Sequence, residues 1–72
     1  MHLFVYTKHA LEKMDALGIE KGEAEKAIAK GMKWKEQDNG KWHAQMAGIE
    51  AVFLKQDNDF VIITVYLAGR KK

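Results

Sequence analysis

A chain of 72 residues supports one domain, and folding at this size buries only about 60% of the surface that the unfolded chain exposes. Its 47% apolar and 31% charged content is that of a globular protein rather than a disordered one. With no cysteine, disulfide staples, thiolate metal ligands and thiolate nucleophiles are excluded, and a net charge of +2 supplies only a mild attraction for polyanions.

Residues 2–6 read as a short strand, with Leu3 and Val5 on one side and Phe4 and Tyr6 on the other. Thr7 is placed to cap a helix, its hydroxyl accepting from an otherwise unpaired backbone N–H. Ala10, Leu11, Met14 and Leu17 fall on one helical face, and Gly18 suits a left-handed stop with Ile19 returning onto Met14. A second helix is expected over 21–30, with Ala24, Ala27 and Ile28 as its apolar stripe and acids in its first turn, where the helix dipole favours them. Gly31 repeats the glycine stop. Strands follow at 32–37, 41–47, 49–55 and 60–67, so the chain reads as α+β: a short N-terminal strand, two helices, then a four-stranded antiparallel sheet.

Turn chemistry sets the expected register. A three-residue loop at Asp38-Asn39-Gly40 pairs Gln37 with Lys41 and puts Met32, Trp34, Trp42, Ala44 and Met46 on one face. It is preferred because it buries both tryptophans together, which is worth several kcal/mol by area. A two-residue turn at Ala47-Gly48 adds Ile49, Ala51 and Phe53 to that face. A three-residue loop at Gln56-Asp57-Asn58, with Asn58 left-handed, adds Val61, Ile63, Val65 and Leu67. The helices would cover this face. The opposite face then displays Lys33, Lys35, Lys41, His43 and Gln45 beside Glu50, Val52, Leu54, Phe60, Ile62, Thr64 and Tyr66. On one reading its apolar part, Val52, Leu54, Phe60 and Ile62, is buried against a second chain beside a solvated lysine patch; on the other the face is an RNA groove in which lysines hold phosphates while Tyr66 or Phe60 stacks on a base.

The chain contains no serine and no phosphate-binding glycine loop. The histidines His2, His9 and His43 lack metal-ligand spacing, so neither a metal nor a cofactor is expected. His9 opens the first helix, where the dipole disfavours imidazolium and suits a general base. His43 is central on the open face and is an acid–base candidate. Arg70, the only arginine, has the guanidinium suited to clamping a phosphate. The uncharged run over 60–68 is too short for a membrane helix, and the start of the chain lacks the apolar stretch of a secretory signal. The expected location is cytoplasmic, without membrane contact.

The run Tyr6-Thr7-Lys8-His9-Ala10, continued by Leu11-Glu12-Lys13-Met14 and Leu17-Gly18-Ile19, resembles the opening of a family of small uncharacterised bacterial and archaeal proteins. The strand Val61-Ile62-Ile63-Thr64-Val65-Tyr66 resembles its close. That family is grouped with RelE/ParE-like toxins, within the barnase–EndoU–colicin–RelE type of ribonuclease fold. The resemblance implies a βααββββ order and metal-independent RNA cleavage or RNA binding. It implies catalytic roles for His9, Thr64 and Tyr66 and charge supplied by Lys13 and Arg70; the open-face pattern adds Lys33, Lys35, Lys41 and His43 as RNA-binding candidates. The resemblance also implies a cognate antitoxin as partner. Lys13 and Leu17 stand where the family tends to have arginine, which removes two guanidiniums suited to a phosphorane. A homodimer or a non-enzymatic dimerisation or protein-interaction domain is the alternative.

Overall fold

The computed structural model describes residues 3–68. The elements run β1 (Leu3–Tyr6), α1 (Lys8–Leu17), α2 (Lys21–Lys30), β2 (Met32–Lys35), β3 (Trp42–Met46), β4 (Ile49–Gln56) and β5 (Asp59–Leu67). The fold is α+β, as the residue pattern predicts. The sheet has five strands rather than four, in the order β1-β5-β4-β3-β2, because the N-terminal strand joins it parallel to β5. Both helices lie on one face, and among the described residues no helix or strand covers the other.

Local chemistry explains the helix ends. Thr7 Oγ1 accepts from the Ala10 N–H at 3.1 Å, and Gly18 adopts a left-handed φ of 72°, letting the Ile19 N–H reach the Met14 carbonyl at 2.9 Å. Glu20 and Glu23 form a reciprocal capping box at the start of α2. Gly31 is required for closeness: a Cβ there would sit 2.5 Å from the Gln45 carbonyl oxygen and 2.6 Å from that of Ala27. The core joins Ala10, Met14, Ala24, Ala27 and Ile28 of the helices to Ala44, Ala51, Phe53, Ile62 and Val65 of the sheet. Tyr6 pins β1 to α2 by donating its hydroxyl to Glu25 at 2.6 Å; burial first, then that bond and the charge of Glu25, raise its pKa.

The register departs from expectation at two loops. Between β2 and β3, Trp34 pairs with His43 and Lys35 with Trp42, so the connection is the four-residue stretch 37–40 rather than a three-residue loop. Asn39 closes it, its Oδ1 accepting from the Lys41 N–H at 2.9 Å and its amide donating to Glu36 at 2.7 Å. Trp34 and Trp42 therefore occupy opposite faces. Met32 and Trp34 lie on the open face, while Lys33 and Lys35 move to the helix side. Trp42 packs on the core, stacked on Phe53 at 6.4 Å, with the Lys55 ammonium 4.2 Å from its ring centroid.

Between β4 and β5 the turn has two residues, with Gln56 opposite Asp59, and Asp57, not Asn58, carries the positive φ of 54°. A bulge at Ile63 then shifts the register, since Phe53 opposes Ile62 whereas Val52 opposes Thr64. Phe60 and Ile62 consequently point into the core, Phe60 against Phe53 and Phe4, and Ile62 is fully buried. They are not on the open face where a partner was expected to cover them, and Val61, opposite Leu54 and beside Val5, is on that face instead. The Ala47-Gly48 turn is as predicted, with φ of 55° and 80° at its two central residues.

Candidate functional site

The corrected register gathers one polar cluster on the open face. His43, in the middle of β3, lies opposite Trp34 on one side and Val52 on the other. Its Nδ1 contacts Glu50 Oε2 at 2.6 Å, and its Nε2 is hydrogen-bonded to Glu36. Glu50 is 8% exposed and also accepts from the Tyr66 hydroxyl at 2.9 Å, Tyr66 being its cross-strand neighbour on β5. Trp34 stacks flat on the imidazole, with ring centroids 5.2 Å apart and planes 4° from parallel.

The electrostatics follow from this arrangement. Burial pulls the His43 pKa down, but hydrogen bonds to Glu36 and Glu50 and their charges outweigh it, so the pKa is raised. The cluster thus favours imidazolium, with both ring nitrogens donating to carboxylate oxygens. Bonds from His43 and then Asn39 hold the Glu36 carboxyl below its usual range. Burial and then the bond to Glu50 raise the Tyr66 pKa and keep the phenol a donor. The two carboxylates differ in access: the Glu36 side chain is 36% exposed and that of Glu50 11%. Glu50 is the fixed inner partner. Glu36, on the loop, is the outer one.

This is an acid–base constellation. An imidazolium is a proton donor, an exposed carboxylate beside it is an acceptor, and a buried carboxylate sets the ring's orientation. Among the described residues no group of three or more His, Asp and Glu side chains is arranged to hold a metal, and no pocket is enclosed. The face is open, so a ligand would lie across it.

Of the residues singled out from sequence, His43, Lys41, Val52, Leu54, Thr64 and Tyr66 share this face. Lys33 and Lys35 do not; Lys33 donates to the Gly31 carbonyl at 3.1 Å, and Lys35 approaches Trp42. The continuous lysine patch expected beside His43 is therefore absent among the described residues, Lys41 alone remaining there. His9 is exposed and Lys13 half-buried on α1, in the helical layer, and neither forms a hydrogen bond or ion pair with the cluster. Thr7 and Ala10 of the motif around His9 serve the fold, as helix cap and core. Arg70, like His2, lies outside the described residues. The sequence reading missed Glu36 and Trp34, which only the four-residue loop brings to the face. It placed Glu50 correctly without giving it a role, although the Ala47-Gly48 turn sets positions 43 and 50 diagonally across the hairpin.

Fold and cluster together define a small α+β domain with a histidine–carboxylate centre on an open sheet. The chain belongs to the family described as a domain of unknown function, DUF4258, whose model matches residues 6–67. No curated protein matches it. No solved structure matches it either. Among the described residues no helix is long and apolar enough to cross a membrane.

Proposed function

We propose that this domain is a toxin-like, RNA-directed module of the cytoplasm, with His43 as the proton donor of a metal-independent ribonuclease centre. The observation that carries this reading is the ring of His43 held between two carboxylates of unequal access in the middle of an uncovered sheet face. The strand–two helices–sheet order agrees with the ribonuclease-type fold that the sequence resembles, and the open face suits an extended polymer.

In such chemistry the RNA 2′-hydroxyl attacks its adjacent phosphate. The 2′-oxygen–phosphorus bond forms and the phosphorus–5′-oxygen bond breaks. Glu36, the exposed carboxylate, leaves Nε2 and takes the 2′-hydroxyl proton; the uncovered Nε2–H is given to the departing oxygen. Glu50 keeps Nδ1 and fixes the ring. Tyr66 steadies Glu50, Thr64 lies beside Val52 on the same face, and Lys41 supplies positive charge near the phosphate. The test is cleavage of single-stranded RNA in the presence of a chelator. His43→Gln should abolish cleavage, and Glu36→Gln should lower it by about 10²–10⁴-fold, the contribution typical of a positioned acid or base. Cleavage lost in His9→Gln but retained in His43→Gln would move the centre to α1 and refute this assignment.

A second reading, a non-enzymatic interaction domain binding an antitoxin-like protein or its own copy, is favoured by the apolar margin of the same face. Leu3 is 59% and Val5 43% exposed there, beside Val61 and Leu54. Sedimentation at high concentration tests the homodimer form; a monomer throughout would remove it.

A further inference from the structure

Trp34 is not used by the acid–base chemistry, and its setting is unlike that of Trp42. Trp42 is packed on the core with Phe53 beneath it and a lysine ammonium over its ring. Trp34 is 39% exposed and belongs to β2, one of the two edge strands of the sheet. One face of its indole is on the His43 ring, at 5.2 Å and 4°. Beyond β2 there is no further strand, and no second ring or cation stacks on Trp34 among the described residues. Met32, two positions earlier on the same side, is 67% exposed and extends this apolar rim. Covering an imidazole needs only a small apolar group. An indole left this accessible presents a large flat π surface next to the proton donor.

We infer that Trp34 is a stacking platform for one nucleobase of single-stranded RNA, positioning the adjoining phosphate over His43. This rests on the RNA reading above and names the part of the substrate that the site recognises. A purine or pyrimidine stacks on the free indole face without regard to its hydrogen-bonding edge, so the site is tolerant of sequence. The phosphate beside that base passes toward Nε2 of His43, with Lys41 two positions before it in the chain as the cation on this face among the described residues. The edge strand alternates, with Met32 and Trp34 on the open side and Lys33 and Lys35 on the other. A strand crossing the edge therefore meets an aromatic first and lysines as it leaves.

The test uses the whole chain and a fluorescein-labelled 2′-O-methyl pentanucleotide, which lacks the attacking hydroxyl, compared by anisotropy with the same oligomer made abasic throughout. The base-bearing oligomer should bind roughly tenfold or more tightly than the abasic one, the scale of one base–aromatic stack. Trp34→Leu should erase that difference, Trp34→Phe should retain part of it, and Lys41→Ala should weaken both oligomers alike. A purely structural role for Trp34 would leave the ratio of the two affinities untouched. Equal binding of both oligomers to the unsubstituted protein, or an unchanged ratio in Trp34→Leu, overturns the stacking role alone. Failure of both oligomers to bind overturns it together with the RNA reading.

Discussion

Replacing Glu50 with leucine removes the inner carboxylate of the cluster while keeping a side chain of similar bulk on the buried side of the face. Two donors then lose their acceptor, His43 Nδ1 and the Tyr66 hydroxyl. An orphaned buried donor costs about 1–3 kcal/mol. The His43 side chain is 12% exposed and falls in that range, whereas Tyr66, 36% exposed, can recruit water and falls at or below its lower end. Leucine returns part of this through apolar burial against Val52, so the net loss is about 1–3 kcal/mol. Domains of this size hold roughly 4–11 kcal/mol in total, and 1 kcal/mol shifts Tm by about 4–8 °C. Glu50→Leu should therefore melt about 5–20 °C lower by circular dichroism. Combined with Tyr66→Phe it should be less than additive, because the two changes remove one shared bond. A shift under about 3 °C, or strict additivity, would refute the idea that the buried carboxylate organises the cluster.

Stability should also depend on pH in a set direction. The folded pKa of His43 is raised from 6.5, so its contribution is complete below that value and is lost as pH rises through the folded pKa. The Glu36 pKa is lowered from 4.5, so its contribution is present above that value and lost as pH falls through the lowered one. Urea midpoints should thus be higher near pH 5.5 than at pH 9, and His43→Gln should flatten this slope. Gly31→Ala forces a Cβ against two backbone carbonyls and should destabilise by roughly 3 kcal/mol, the upper end of ordinary overpacking; a change below about 1 kcal/mol in urea unfolding would show that α2 lifts off β3 freely. Ala47→Asn relieves an alanine at φ 55° and should raise stability by about 0.5–1 kcal/mol, measured in the same way.

Much of the fold is legible in the residues because its signals are local. The Thr7 cap, the Gly18 stop and the Ala47-Gly48 turn each depend on neighbours a few positions away, and each is where the pattern puts it. The errors arise where a distant group decides. The Ile63 bulge is held by Thr7, whose hydroxyl donates to the Ile63 carbonyl at 3.0 Å from 56 positions earlier, and no pattern within β5 announces it. The bulge also restores the phase that the shorter Asp57-Asn58 turn had changed. Thr64 and Tyr66 therefore face outward as expected, whereas Phe60 and Ile62 do not. At the other hairpin, burying two tryptophans together would favour the three-residue loop. That gain does not arise, because Trp34 finds its own partner in His43 and Asn39 closes a longer loop. Glu36 and Trp34 depend on this one-residue difference, so these two members of the cluster are not legible in the sequence, while His43 itself is.

The most direct test is the titration of the His43 ring by long-range proton–nitrogen NMR, without and with an uncleavable RNA oligomer. The free protein should show a His43 midpoint above 6.5, and RNA should shift Nε2 as Glu36 is displaced while Nδ1 stays bonded to Glu50. A midpoint at or below 6.5 would contradict an imidazolium held between Glu36 and Glu50. An RNA response confined to other residues would contradict His43 as the centre of the site.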